Sequence, residues 1–409
     1  MRILFLNNYF YLRGGSERAL FEEIGLLNGE GHETAVFSRT HKLNEASKYD
    51  SCFPPDIDTE RRALAFKTIA TAREILYSES ARRGLTRVID DFGPDVAHIH
   101  NAYGRLSLSA LDALKEKGIP TVMTLHDYKL LCPNYLMLNH GELCERCRGR
   151  RFYNAFLTKC HKDSYAASAV YAIESWLGRR TGKYDSLRTL VSPSRFLKNK
   201  MIEHGWNAER IAYVPNFTAN GFQSSLDGGP GSYLLYFGRL SPEKGVLTLL
   251  EALSGIDRVL PAVIAGDGPE RPRLQAAAER KGLATTFVGY LSGKDLENTI
   301  AGARFVVLPS ECYENAPLSL LETLARGKPV IASRIGGIPE IIDDETNGFL
   351  FESRNIEDFR AKLKKMMNLP DSKIREMGVA ARKKAMKEYN PGLHYERLMA
   401  VYRSALAKR

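Results

Sequence analysis

At 409 residues, with 44% hydrophobic and 26% charged side chains, the chain has the make-up of a soluble globular protein with room for two or three cored domains. No apolar run approaches the ~20 residues of a membrane span, and Arg2 leads straight into a strand-like run instead of a signal peptide, so a cytoplasmic protein is expected. The net charge of +10 is uneven, with 13 Lys or Arg against 3 acids between Arg146 and Lys200; six cysteines without an export signal point to a reducing compartment.

In chain order, the apolar run Arg2–Asn7 predicts a first buried strand. The loop YLRGGSER follows, in which Gly14 and Gly15 permit close backbone approach to a ligand or simply make a tight turn, and Ser16 is placed to cap a helix over 17–29. Strands are predicted at Thr34–Ser38, Asp95–His100, Pro120–Leu125, Thr189–Ser192 and Arg210–Pro215, alternating with helical stretches, which is a doubly wound α/β pattern. Residues 217–231 are rich in Gly, Ser, Asp and Pro without periodicity and read as the domain linker. A second alternation follows, with strands at Tyr233–Gly238, Arg258–Ala265, Thr285–Gly289, Phe305–Pro309, Pro329–Ser333 and Gly348–Phe351, then helices near 355–368, 371–389 and 391–407. The expected domains are 1–218, with a cysteine-containing insertion around 128–165, then 219–390, and a last helix at 391–409 packing back on the first domain.

The richest stretch is Pro309–Ser333. Pro317 fits the first turn of a helix, where its missing N–H costs nothing, and Leu318, Leu320, Leu321 and Leu324 give that helix an apolar face. The N–H groups of Leu318 and Ser319 at its start suit a phosphate. Glu322, under two turns in, accepts hydrogen bonds only and matches a ribose diol, while Glu314 in the preceding loop can take hydroxyls of a second ring. A phosphate between two hydroxyl-rich rings is a nucleotide-sugar; the plain alternative is two solvated glutamates on an ordinary α/β unit. Upstream, Gly238-Arg239-Leu240-Ser241-Pro242-Glu243-Lys244-Gly245 holds two cations at a strand end, where they would neutralise a diphosphate or else sit on a solvated turn. The turns Gly266-Asp267-Gly268-Pro269 and Gly289-Tyr290 also follow strands.

In order and spacing, FGRLSPEKG, AGDGPE, FVGYL, the Glu-x7-Glu of ENAPLSLLE, ARGKPVIAS and GGIPEII resemble the retaining glycosyltransferases of family 4. The resemblance implies the α/β GT-B architecture, two facing Rossmann-like domains with a deep interdomain cleft. It implies that Arg239 and Lys244 hold the donor diphosphate, Glu322 the ribose and Glu314 the transferred sugar, with amides near Ala316, Leu318 and Ser319 on phosphate and main chain at Tyr290-Leu291 reading the base. Where family members often carry Gly-Phe-Gly after the first glutamate, this chain has Asn315-Ala316-Pro317, at the place where the hexose should sit. His126, at the end of Pro120–Leu125, matches a family histidine that contacts the donor sugar; a hydrogen-bonded strand-end histidine is the bland account. The resemblance implies same-face transfer in which the leaving diphosphate takes the acceptor proton, so His126 stabilises and positions and is not a general base.

The substrates implied are a UDP- or GDP-linked sugar and a glycan or lipid-linked acceptor, in cell-surface polysaccharide or glycolipid synthesis, with no catalytic metal. Asp56-Ile57-Asp58 follows Pro54-Pro55 and reads as loop. Cys132, Cys144, Cys147 and Cys160 form C-x11-C-x2-C-x12-C, whose central pair has chelating spacing; a structural zinc, one or two disulfides, or unlinked thiols all fit, while Cys52 and Cys312 stand apart. The basic run 146–200 interleaves Phe152, Tyr153, Phe156, Tyr165, Tyr171, Trp176 and Tyr184, which suits an anionic membrane at the inner face of the cell membrane, a solvated face, or nucleic acid, the last disfavoured. The competing functions are a sugar-nucleotide epimerase or glycan phosphorylase of the same fold, and a basic nucleic-acid- or partner-binding protein with a zinc knuckle. The second leaves the glutamates and strand-end cations unexplained.

Overall fold

A computed structural model describes residues 1–57, 69–219, 221, 229, 231–257 and 259–407. Its first strand, β1 (Arg2–Asn7), runs apolar without alternation because both faces are covered: Ile3, Leu4, Phe5 and Leu6 are fully buried. It is followed by α1 (Gly15–Gly29), β2 (Glu33–Phe37), α2 (Ile69–Leu76), α3 (Glu79–Phe92), β3 (Val96–Asn101), α4 (Ser109–Glu116) and β4 (Thr121–Thr124). The insertion contains a two-stranded antiparallel ribbon, β5 (Leu138–Asn139) with β6 (Glu142–Leu143), then α5 (Tyr153–Leu157) and α6 (Tyr165–Arg180). β7 (Leu187–Ser192), α7 (Arg195–Glu203) and β8 (Ile211–Tyr213) complete the half. The strands lie in the order β2-β1-β3-β4-β7-β8, all parallel.

The second half runs β9 (Tyr233–Phe237), α8 (Val246–Leu253), β10 (Ala262–Ala265), α9 (Arg271–Arg280), β11 (Thr285–Gly289), α10 (Gly293–Gly302), β12 (Ala303–Leu308), α11 (Leu318–Ala325), β13 (Val330–Ser333), α12 (Ile338–Ile341) and β14 (Gly348–Phe351). Three helices close the chain: α13 (Ile356–Met367), α14 (Asp371–Glu388) and α15 (Pro391–Ala407). This sheet is also parallel throughout, in the order β11-β10-β9-β12-β13-β14. Strand order therefore reverses beside β1 in one sheet and beside β9 in the other, and ligands of open parallel sheets bind at such switch points, beyond the carboxyl ends.

The described residues divide into two compact units, Met1–Pro215 with His394–Arg409, and Asn216–Leu393. The first unit's core joins Ile3, Phe5, Leu20 and Val96 to Leu398, Val401 and Tyr402 of α15, so the chain's last helix is part of the first hydrophobic core. The second unit's core packs α8 and α13 with β9 and β10, around Leu234, Leu249, Ile264, Phe305 and Phe359. Most of the predicted 217–231 linker lies outside the described residues, as does Arg258, the predicted start of a strand that begins at Ala262 behind Pro261, which has no N–H to give the ladder. Ser16 is not the cap of α1. Gly14 occupies that position, and Ser16 lies inside the helix. Among the described residues no helix is long and apolar enough to cross a membrane.

Candidate functional site

In the second unit the loops after β9 and β12, the two strands flanking the switch point, bring Lys244 and Glu314 together. Lys244 ends a single 3-10 turn, Pro242–Lys244, and its Nζ donates to Glu314 Oε1 over 2.6 Å. The Ser310 hydroxyl donates to the same oxygen at 2.6 Å. Burial works against the Lys244 ammonium, but the Glu314 carboxylate outweighs it and holds the lysine pKa above its ordinary range. Two glycines make the geometry possible. Gly245, at φ 67°, has a hypothetical Cβ 1.9 Å from the Pro309 carbonyl oxygen, and Gly336, at φ 60°, has one 2.2 Å from the Glu314 carbonyl oxygen. Only residues without a side chain let the two neighbouring loops close on the β12 loop; the Gly337 N–H then donates to the Glu314 carbonyl at 2.7 Å.

Arg239 is exposed, its backbone carbonyl pinned by the Tyr236 hydroxyl at 2.8 Å. Among the described residues its guanidinium has no ion-pair partner, so it stands at the end of β9 as an available fork. Glu322 is buried in α11 at 3% exposure, not solvated as the plain alternative had it. Ala316 is held by the Asn216 amide, which donates to its carbonyl at 3.0 Å, and Pro317 is the N-cap of α11, so the N–H groups of Leu318 and Ser319 open the helix without carbonyl partners inside it. Tyr290 projects from the end of edge strand β11 and is 74% exposed. Arg239, Lys244, Glu314, Ala316, Leu318 and Ser319 thus lie on the loops and the helix start that follow β9 and β12.

In the first unit, Gly14 has an extended backbone (φ −164°), and Gly15 has no atom within 4 Å of where a Cβ would stand. The protein's own packing does not require either glycine. His126 leaves β4 half-buried, and the Leu125 N–H, bonded to the Val191 carbonyl at 2.9 Å, carries the sheet up to it. Its Nε2 lies 2.9 Å from His100 Nδ1. Behind His100 stands a group that sequence reading overlooked. His98 and His100, two apart on β3, share one face of the strand and meet Glu23 of α1: Glu23 Oε1 lies 2.8 Å from His98 Nδ1 and 3.3 Å from His100 Nε2, and Oε2 lies 3.3 Å from His394 Nε2 of α15. The His-x-His of an otherwise apolar strand was the available signal. These Glu23, His98 and His100 atoms lie within 4.8 Å of one another, a spacing a cation could use, but hydrogen bonds between them already satisfy it. Asp127 accepts the Lys129 N–H at 2.8 Å, anchoring the loop, and burial pushes its carboxyl up to about 6.

Lys129 was also overlooked. With 3% of its side chain exposed, it reaches Glu174 of α6 at 2.9 Å and lies 4.4 Å from the centre of the Tyr171 ring, tying the insertion to α6. Tyr171 therefore faces inward, and Phe152 and Tyr184 are core residues; of the seven interleaved aromatics, Tyr153, Phe156, Tyr165 and Trp176 are exposed. Cys132, Cys144, Cys147 and Cys160 gather in the insertion as free thiols. Burial pushes Cys132 up to about 12 and Cys147 and Cys160 upward as well, and neighbouring thiols add to each shift. No three of these sulfurs lie within 4.8 Å of one another, whereas tetrahedral zinc at ~2.3 Å would bring them to roughly 3.8 Å. Asp56 is held by the Arg105 guanidinium, and Asp58 lies outside the described residues. An open pocket of about 470 Å³, lined by Lys115, Thr121, Leu187 and Arg210, sits at the amino ends of β4 and β7, the wrong edge of the sheet for a ligand of this fold.

Two family models cover the chain: "Glycosyltransferase Family 4" matches residues 13–218 and "Glycosyl transferases group 1" matches 220–384. An alpha-maltose-1-phosphate synthase of Mycolicibacterium smegmatis is 28% identical over 403 residues, 92% of this chain and 95% of that protein. An uncharacterized glycosyltransferase of Methanocaldococcus jannaschii is 26% identical over 72% of each chain, and the sulfoquinovosyl transferase of Arabidopsis thaliana is 28% identical over 72% of this chain and 54% of its own length. Among solved structures, Anabaena HepE in complex with UDP and glucose superposes with a TM-score of 0.68 at 17% identity, covering 99% of this chain and 100% of that one. The sucrose-phosphate synthase of Thermosynechococcus elongatus gives 0.70 at 15% identity over the full length of both. With both halves matched by family models and two parallel-sheet Rossmann-like units of GT-B type, the chain belongs to glycosyltransferase family 4.

Proposed function

We propose that this glycosyltransferase takes its sugar from a UDP- or GDP-linked donor and passes it, with retention of anomeric configuration, to a glycan or lipid-linked acceptor. The observation that supports the reading is the Lys244–Glu314 ion pair on the loops that follow β9 and β12, with the exposed Arg239 at the end of β9 and the buried Glu322 on α11. An ammonium has three donors, so Lys244 can keep Glu314 and still reach a phosphate oxygen. Arg239 adds a fork whose two parallel N–H groups match phosphate. Glu314 is left with acceptor capacity for sugar hydroxyls, and Glu322 accepts from the ribose. Charge that develops on the leaving diphosphate is then met by protein cations and the opening amides of α11, so no divalent ion is needed. Solved complexes of Anabaena HepE with UDP and with UDP-glucose support a nucleotide-sugar donor.

We further propose two accessory features. The four cysteines of the insertion, whose central pair has chelating spacing, close around a structural zinc whose charge offsets the burial that disfavours their thiolates. The exposed Tyr153, Phe156, Leu157, Tyr165 and Trp176 of α5 and α6, among the exposed arginines of the 146–180 stretch, rest on an anionic membrane where a lipid-linked acceptor would be met.

Arg239→Ala, an exposed change, should leave thermal stability intact and lower kcat/KM by about 10²-fold, as loss of a group that stabilises transition-state charge commonly does. Glu322→Gln should weaken nucleotide binding in calorimetry. Unaltered turnover and binding in both variants would remove the donor-site assignment.

Proton NMR of the product is expected to show the donor's anomeric configuration, with transfer continuing in EDTA; an inverted product contradicts the mechanism. Elemental analysis should find about one zinc per chain, and Cys144→Ser with Cys147→Ser should cost several kcal/mol of stability, on the order expected when metal binding is coupled to folding. Metal-free protein with four titratable thiols and full stability argues the reverse.

Vesicle co-sedimentation should depend on anionic lipid and fall as salt rises, since each surface-reaching Lys or Arg contributes about 1 kcal/mol and is screened within ~8 Å. Reversing Arg148, Arg150, Arg151 and Arg180 to Glu should abolish it while sparing nucleotide binding. Arg179 is kept, because it stacks 3.9 Å from the centre of the Trp206 ring. Equal partition onto neutral and anionic vesicles sinks the membrane proposal.

A further inference from the structure

The hydrogen bonds behind His126 determine which of its ring nitrogens carries the proton. The assignment starts at Glu23, 4% exposed, and proceeds by elimination. Burial raises its carboxyl pKa, but His98 and the hydrogen bonds from His100 and His394 outweigh that and the net shift is downward, so Glu23 is ionised and accepts hydrogen bonds only. His394 faces two acceptors. Its Nδ1 lies 2.9 Å from the Pro215 carbonyl oxygen and its Nε2 3.3 Å from Glu23 Oε2. His98 Nδ1 lies between the Tyr402 hydroxyl at 2.7 Å and Glu23 Oε1 at 2.8 Å, and its Nε2 meets the Thr124 hydroxyl at 2.8 Å.

His100 donates from Nε2 to Glu23 Oε1. It is fully buried, and burial lowers its pKa, so it is neutral and its Nδ1 holds a lone pair. The Nε2 of His126, 2.9 Å from that lone pair, must then be the donor. Burial lowers the pKa of His126 as well, so its second nitrogen, Nδ1, is unprotonated. Among the described residues that nitrogen has no hydrogen-bond partner, and the residue is only half-buried.

We propose that Glu23 and His100 are positioning residues that lock His126 as the Nε2–H tautomer and so present its Nδ1 as a hydrogen-bond acceptor to a hydroxyl of the bound sugar. The ligand in this proposal rests on the nucleotide-sugar reading above; the tautomer does not. The consequence is selective. An acceptor nitrogen pairs with a hydroxyl that donates and gains nothing from a ligand in which that hydroxyl is replaced by hydrogen or fluorine.

The test is nitrogen-15 NMR of the full chain with labelled histidine, alongside transfer kinetics. His126 should show a protonated Nε2 and an unprotonated Nδ1 in the native protein. His100→Phe keeps a buried ring but removes the acceptor, and should give mixed tautomers at His126 with kcat/KM down roughly tenfold, the worth of one ordinary hydrogen bond. His100→Asn, which returns an amide oxygen near the place of Nδ1, should restore both. Glu23→Gln, whose amide offers N–H as readily as oxygen, should also mix the tautomers; if it does not fold, the native spectrum and the His100 pair still decide. A protonated Nδ1 in the native protein, or unchanged tautomer and turnover in His100→Phe, overturns the proposal. Failure of the donor assignment is read separately, in Arg239→Ala, which lies in the other unit.

Discussion

Parallel pairing is the constraint on which the rest depends. In each unit every strand of the large sheet points the same way, so every loop that follows a strand emerges at one edge. A carboxylate eight residues before another, or a lysine five residues beyond an arginine, becomes a site only because those loops are forced together there. Beside β9 the forcing is tightest. The β9 loop meets the β12 loop so closely that Gly245 has no room for a methyl group against Pro309, and on the other side Gly336 of the β13 loop has none against Glu314. The ion pair between Lys244 and Glu314 is what that closeness produces.

Buried charge is handled in the same way at three places. Lys244 with Glu314, Lys129 with Glu174 and His394 with Glu23 each set a basic side chain against a carboxylate out of bulk water. Such pairs are poor sources of stability, because desolvation consumes most of the attraction; breaking one is costly, because the survivor is left unpaired. What they supply is position. Lys129, three residues after His126, ties the start of the insertion to α6, and Glu23 ties α1, β3 and α15 to a common point. The α15 helix therefore contributes to the first unit twice, through the apolar contacts of Leu398 and Val401 and through the His394 ring. The thiols of the insertion are the contrasting case: they are gathered and buried with no opposite charge beside them, and their pKa values rise accordingly.

The sequence by itself determined the class of fold and marked the residues that stand on the loops after β9 and β12. Strand periodicity placed β1, β11 and β14 to the residue, and the Glu-x7-Glu and Gly-Arg-x4-Lys spacings were readable because each lies within one strand–loop–helix segment, where local geometry sets the separation. Local patterns also mark Gly14-Gly15 and the cysteine spacing, since both are short-range. Ser16 shows the limit even at short range: a good capping residue loses its place when the helix starts two residues earlier.

Only the tertiary structure decided the rest, because the partners are far apart in the chain. Glu23 meets His98 and His100 across some 75 residues and His394 across 371, and no periodicity encodes such a meeting. Aromatic residues of the basic stretch could not be sorted by composition; Tyr171 turns inward because Lys129, from another segment, lies against its ring, while Trp176, five residues on along the same helix, stays outside. The protonation of His126 is the extreme case. It follows from a chain of hydrogen bonds that begins at the Glu23 carboxylate and passes through His100 to His126, each restricting the next because a carboxylate can only accept and a neutral imidazole must do one of each.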